Sequence, residues 1–177
     1  MARHKHVINV NDVEPKEISV ADKFHHVVRG LGSSTGNVEL GCSHFRVAPG
    51  KYAFPKHSHI RNEEALFILE GTGTLTIGDD EIVVSAGDYA ALPIGRHLAH
   101  KLVNTGDSDL VYLCLSTNLM PEITEYPDSG KVGVLGGADW NQGLADFYAG
   151  KDISDDYFFR FYEGDTHVAY FTGEIDE

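Results

Sequence analysis

The 177-residue sequence predicts an all-β fold, a barrel or sandwich of short strands. Residues 38–118 read as brief apolar runs broken by turn-forming residues, and no long stretch keeps a helical period. The runs are short and closely spaced, and side chains two apart within a run share one face of a strand.

Taken in order, residues 6–10 are expected as an edge strand, and residues 30–36 as a loop rich in glycine and serine. The central strands are expected at 38–47, 64–70, 72–77, 81–85, 100–104 and 110–116. Between them lie Pro49-Gly50, Gly78-Asp79-Asp80, Ala86-Gly87-Asp88, Pro93-Ile94-Gly95 and Asn104-Thr105-Gly106-Asp107, all suited to tight turns. Gly78-Asp79-Asp80 reads as a hairpin connection, and closing the strands into a barrel removes unpaired edges. Residues 118–130 are expected to be extended and turn-rich, 139–148 a short helix anchored by Trp140, Phe147 and Tyr148, and 157–162 and 167–171 two closing strands. No linker is long or polar enough to separate a second domain. Residues 1–177 are therefore expected as one domain, with a core at 38–118 and extensions at 1–37 and 119–177 packing on it.

Composition narrows the partners. Acidic residues outnumber basic ones by 27 to 14, a formal charge of -13, and the densest basic stretch is Arg3-His4-Lys5-His6. Nucleic acid is not an expected partner, because binding it draws on basic groups that neutralise phosphates. No apolar run approaches the roughly 20 residues of a membrane span, and the charged start lacks the apolar stretch of a signal peptide. The expected location is the cytoplasm. Cys42 and Cys114 sit in separate apolar runs and suit small buried apolar side chains better than a disulfide or a zinc knuckle.

The chain has ten histidines, and their placement matters more than their number. His57 and His59, two apart, project from one face of a strand, and Glu64 follows after a turn. Together they make three corners of a metal shell, for which His100 is the natural fourth. A lone His-x-His is weak evidence; here Glu64, Gly71, Gly87, Pro93, Gly95, His100 and Asn104 follow it in order.

In these residues the sequence resembles the cupin superfamily. Gly50, His57, His59, Glu64 and Gly71 match its first motif, with six residues rather than five between Gly50 and His57. Gly87, Pro93, Gly95, His100 and Asn104 match its second, with four residues rather than two between Gly95 and His100. The insertion leaves His97 as an alternative to His100, although Asn104 follows His100 at the expected interval. Glu63 competes with Glu64, but only Glu64 keeps the spacing to Gly71. Residues 44–117, 125–132 and 168–174 are similar to stand-alone bacterial cupins of largely unassigned function. The resemblance implies a double-stranded β-helix jelly roll, usually a homodimer.

Three imidazoles and a carboxylate suit Mn, Fe, Zn, Ni or Co, with Cu possible, and disfavour Ca or Mg. In an octahedral shell four protein ligands leave two positions for water, substrate or dioxygen. The expected activity is therefore that of an isomerase, lyase or dioxygenase on a small oxygenated metabolite, sugar-like or carboxylate. The alternatives are a non-catalytic binding or sensing barrel and a structural barrel with empty histidines. Phe54, Leu66, Ile68, Leu102 and Tyr112 are expected to point inward, as pocket walls or as core. Arg46 and Arg61 are candidates to meet an anionic substrate or to be solvated. Residues 125–132 are expected as a strap outside the barrel, with a lid as the alternative.

Overall fold

Runs in which apolar residues recur at every second position become strands, because pleating turns successive side chains to opposite faces and one face is then buried. The computed structural model describes residues 3–137 and 157–166. A hairpin of β1 (Lys16–Val20) and β2 (Phe24–Gly30) precedes β3 (Leu40–Val47), the two-residue β4 (Ser58–His59), β5 (Glu64–Glu70) and β6 (Thr72–Ile77). Then come β7 (Asp80–Ser85), β8 (Tyr89–Leu92), β9 (His100–Asn104), β10 (Leu110–Thr117), β11 (Glu122–Tyr126), β12 (Lys131–Gly137) and β13 (Tyr157–Glu163).

The strands pair antiparallel in three sheets, ordered β1-β2-β3-β10-β5-β8, β13-β12-β11-β4 and β7-β6-β9. Phe45, Val47, Leu66, Ile68, Leu110 and Tyr112 of the largest sheet meet Leu75, Val84 and Leu102 of the smallest in one apolar core. This is a jelly-roll barrel. The β6–β7 hairpin pairs Ile77 with Asp80, so Gly78 and Asp79 form the loop, and Gly78 takes the positive φ that such a two-residue turn needs at its first position. At Gly71, where φ is +82°, a Cβ would lie 2.5 Å from the Asp109 carbonyl oxygen, so only glycine fits.

Asn104 is fully buried at the end of β9. Its Nδ2 donates to the carbonyls of Val47 and Ser108, each at 2.8 Å, and its Oδ1 accepts from the Gly106 amide at 3.0 Å. The asparagine thus closes the turn after β9 and ties it to β3.

Several expectations need correction. Residues 6–10 do not form a strand; the chain there runs into a short 3-10 turn, Val10–Asp12, and the edge of the largest sheet is β1. Residues 31–35 of the expected loop form a short helix, Leu31–Thr35, ended by Gly36 in the left-handed conformation. Within 118–130, residues 122–126 are the strand β11. The helix expected at 139–148, with Trp140, Phe147 and Tyr148, and the strand at 167–171 lie outside the described residues.

Replacing Asn104 with alanine removes its bonds to the Val47 and Ser108 carbonyls and leaves the Gly106 amide only its bond to the Thr72 carbonyl, and the expected loss is about 2–3 kcal/mol of unfolding free energy. Urea denaturation measures it, and metal stoichiometry is expected to stay unchanged because the partners of Asn104 are Val47, Ser108 and Gly106 and not the clustered side chains.

Candidate metal centre

The segment before β5 runs antiparallel to β9. The His57 amide donates to the His100 carbonyl at 3.0 Å and the His100 amide donates to the His57 carbonyl at 2.7 Å. This reciprocal pair sets the two imidazoles side by side, with ring centroids 4.7 Å apart; His59 lies 5.0 Å from His57 and 5.9 Å from His100. Glu64, the first residue of β5, places Oε2 3.3 Å from His100 Nε2 and 3.4 Å from His59 Nε2. One donor atom from each of the four residues lies within 4.8 Å of the others.

The outer ring nitrogens are engaged by the backbone. His57 Nδ1 lies 2.9 Å from the Pro55 carbonyl and His100 Nδ1 lies 3.3 Å from that of Leu98. Donation of those protons outward leaves each Nε2 free for the centre, the orientation that metal-binding imidazoles need. Neither buried ring nitrogen of His59 makes a hydrogen bond. Burial pushes the His57 pKa down to about 4, partly offset by Glu64, so His57 is neutral at pH 7. For Glu64, burial opposes ionisation, but His100 and His59 outweigh it and hold the carboxyl well below the usual range. His59 is raised because Glu64 and Glu122 together outweigh the opposing effect of burial. An ionised carboxylate facing three imidazoles is a donor set that a cation satisfies.

The loop between His59 and Glu64 is held by a buried carboxylate absent from the expected site. Glu122 Oε1 accepts from the amides of Ile60 at 3.0 Å, Arg61 at 3.2 Å and Ile123 at 3.0 Å, and Oε2 accepts from Asn62 Nδ2. The same oxygen Oε1 lies 3.9 Å from His59 Nδ1. Asn62 Oδ1 in turn accepts from the Leu119 amide at 2.6 Å and the Thr117 hydroxyl at 3.0 Å. No local pattern marks Glu122, because its partners are about sixty residues away in sequence.

His59 and Glu64 line a cavity of about 510 Å³, with Phe45, Phe54, His26 and Cys114 among its walls. Of the residues expected inward, Phe54 lines the cavity while Leu66, Ile68, Leu102 and Tyr112 belong to the core. Cys42 and Cys114 are free thiols, as expected; both are half-buried in the cavity lining, and Cys114 also packs against the core. Cys114 Sγ lies 3.9 Å from Glu64 Oε1; burial and then the Glu64 charge push its pKa well up, so it stays a thiol. Cys114 follows Tyr112 by two on β10, so alternation alone identifies it as inward-facing.

Glu64 stands in the cluster while Glu63 is exposed, and His100 stands in it while His97 is exposed in the 3-10 turn Arg96–Leu98. That turn accommodates the insertion in the second motif. Arg46 is exposed and paired with Asp109 at 2.9 Å, and Arg61 is exposed; neither lines the cavity. Residues 125–132 are not an outside strap: Glu125 pairs with Ser58 through β11 and β4, and the Tyr126 ring stacks 5.9 Å from His57.

A sequence profile of the cupin domain matches residues 43–116, which hold all four clustered side chains. Residues 43–116, under half of the chain, thus match a cupin domain. A 60-residue stretch is 37% identical to an uncharacterised protein of Methanocaldococcus jannaschii, covering 34% of this chain and 46% of that protein, so it spans just under half of that relative. Among solved structures, a protein of Acidithiobacillus ferrooxidans provisionally named a sugar phosphate isomerase superposes with a TM-score of 0.71 at 23% identity, covering 93% of this chain and 97% of that one. A cupin of Silicibacter pomeroyi described as a sugar phosphate isomerase gives 0.71 at 21%, over 92% and 97% of the two chains. A predicted oxalate decarboxylase of Thermotoga maritima gives 0.56 at 24%, over 64% and 99%. At these identities the likeness establishes the cupin fold. Among the described residues no helix is long and apolar enough to cross a membrane.

Two outcomes follow from this geometry. Glu122→Ala removes the carboxylate that accepts from the amides of Ile60, Arg61 and Ile123 and from the Asn62 side chain, and is expected to cost about 3 kcal/mol of stability and about 10–100-fold in metal affinity, read by urea unfolding and by competition with a chelating dye. His26, buried in the cavity wall, has its pKa lowered by burial from 6.5 to about 4. Between those values the unfolded chain binds the proton and the folded one does not, so the contribution is complete above pH 6.5 and is lost as pH falls toward 4. His26→Phe is therefore expected to flatten the decline of the urea midpoint over that interval, and an unchanged slope would count against the buried neutral ring.

Proposed function

We propose that the protein is a metal-dependent enzyme that binds one divalent transition metal at His57, His59, Glu64 and His100 and isomerises a small hydroxycarbonyl metabolite. The observation that carries this reading is the convergence of three imidazoles and a carboxylate, two of which, His59 and Glu64, line a substrate-sized cavity. Mn, Fe, Zn, Ni or Co suits this mixed nitrogen and oxygen set.

A bound divalent ion supplies Lewis-acid polarisation of a carbonyl or hydroxyl oxygen. The chain supplies the rest. Pro55 and Leu98 orient the imidazoles of His57 and His100, Glu122 fixes the loop between His59 and Glu64, and Phe45 and Phe54 give the cavity an apolar wall. Tyr126 and Cys114 are protic groups beside the cluster, and burial, opposed at the tyrosine by the Thr124 hydrogen bond and reinforced at both by the Glu64 charge, keeps each protonated. Isomerisation is favoured over decarboxylation because the structures named for sugar phosphate isomerases match over 93% and 92% of this chain, whereas the one named for oxalate decarboxylase matches over 64%.

Protein purified without chelators is expected to hold about one metal ion per chain by inductively coupled plasma mass spectrometry, and a His57→Ala/His100→Ala double variant almost none. Metal-loaded protein is expected to incorporate solvent deuterium next to the carbonyl of hydroxyketones. Retention of metal by the variant overturns the ligand set, and substrate-dependent dioxygen uptake without deuterium incorporation overturns the isomerase reading.

A further inference from the structure

The cavity beside the metal cluster has an unusual inventory of charge. Its charged lining residues among those described are Glu14, Lys16, Glu64 and Glu122, so a single lysine faces three carboxylates. Lys16 is exposed and lies two residues from Glu14, at the rim. Recognition of a phosphate dianion calls for converging arginines or lysines that offset its charge, and Arg46 and Arg61 lie elsewhere.

Away from the metal cluster, the described wall contains a polar group that the fold leaves without a partner. His26, in the middle of β2, is 2% exposed, and neither of its ring nitrogens makes a hydrogen bond. Its backbone is locked between β1 and β3, opposite Ile18 and Val47. The ring lies 5.0 Å from that of Phe54 and 5.5 Å from that of Phe45, both of which share the cavity lining with it. Buried polar side chains almost always find a partner within the protein, and an apolar residue would fill this aromatic niche without leaving polar atoms unpaired. A neutral imidazole offers one donor and one acceptor, which complements a hydroxyl or carbonyl and gives nothing to offset a dianion.

We propose that this cavity takes uncharged hydroxycarbonyl compounds in preference to their phosphate esters, and that His26 is the polar contact in its wall that positions them. The inference rests on the metal-centre reading above and gives it a substrate class, one that departs from the sugar phosphates named for the structural neighbours.

The test uses the full chain loaded with cobalt(II), whose visible spectrum reports ligands entering the metal shell. Two matched pairs serve as probes: dihydroxyacetone and its phosphate ester, and D-erythrulose and its phosphate ester. Each uncharged compound is expected to reach half-saturation at a concentration about ten-fold below its ester. His26→Phe is expected to raise that concentration about ten-fold, the scale of one lost hydrogen bond, while its thermal midpoint stays level or rises. His26→Gln, which keeps a donor and an acceptor, is expected to recover most of the binding. Tighter binding of the esters, binding by His26→Phe equal to that of the unaltered protein, a lowered thermal midpoint with binding intact, or no response to any probe at full cobalt occupancy would each overturn the proposal. Failure to take up cobalt at all is read separately by metal analysis and sinks the metal-centre reading itself.

Discussion

Two backbone hydrogen bonds, exchanged between His57 and His100, join the segment of the first motif to the strand of the second. They bring together strands from different sheets, β4 pairing with β11 on one side and β9 with β6 on the other. The same antiparallel run continues through the bridge between Tyr52 and Val103 and the bonds linking Gly50 and Lys51 to Asn104. The side chains converge because the backbone is already paired, so the position of the centre is a property of the barrel and not of a flexible loop.

Around that frame, polar groups take two distinct roles. Asn104 and Glu122 are fully paired with backbone and loop partners, and each is a structural tie. His59 and His26 are buried with unpaired ring nitrogens, one inside the cluster and one in the cavity wall. Folding alone gives no return on such groups, since an unpaired buried polar atom weakens the folded state. Their partners are to be sought among ligands, a cation for His59 and an uncharged polar molecule for His26.

The strands that carry the two motifs were legible in sequence, and the expected bounds of β5, β6 and β9 match those observed. β6 alternates, with Leu75 and Ile77 apolar, β5 is a continuous apolar run from Ala65 to Leu69, and the three are followed by Gly71, Gly78 and Thr105. That Glu64 and not Glu63 joins the cluster was legible through its spacing to Gly71, and that His100 and not His97 joins it through Asn104. The flanks were harder to read for definite reasons. β11 buries Glu122 and Thr124 and exposes Ile123, the reverse of an apolar inner face. β8 has only four residues between turns. Residues 6–10 look apolar enough for a strand, yet no strand pairs with them, and apolar character without a ladder is not sufficient. Glu122 and His26 escaped because what defines them, a loop sixty residues away and a cavity between strands, has no expression in local sequence.

The central claim is that four side chains from two motifs form one metal site at the edge of a substrate-sized cavity. Its most direct test is anomalous diffraction at the absorption edge of the native metal, using crystals of protein prepared without chelators. The account predicts one anomalous peak about 2.0–2.3 Å from a nitrogen of each of His57, His59 and His100 and an oxygen of Glu64. A peak elsewhere, or His59 hydrogen-bonded to protein groups with no peak beside it after metal loading, would contradict it.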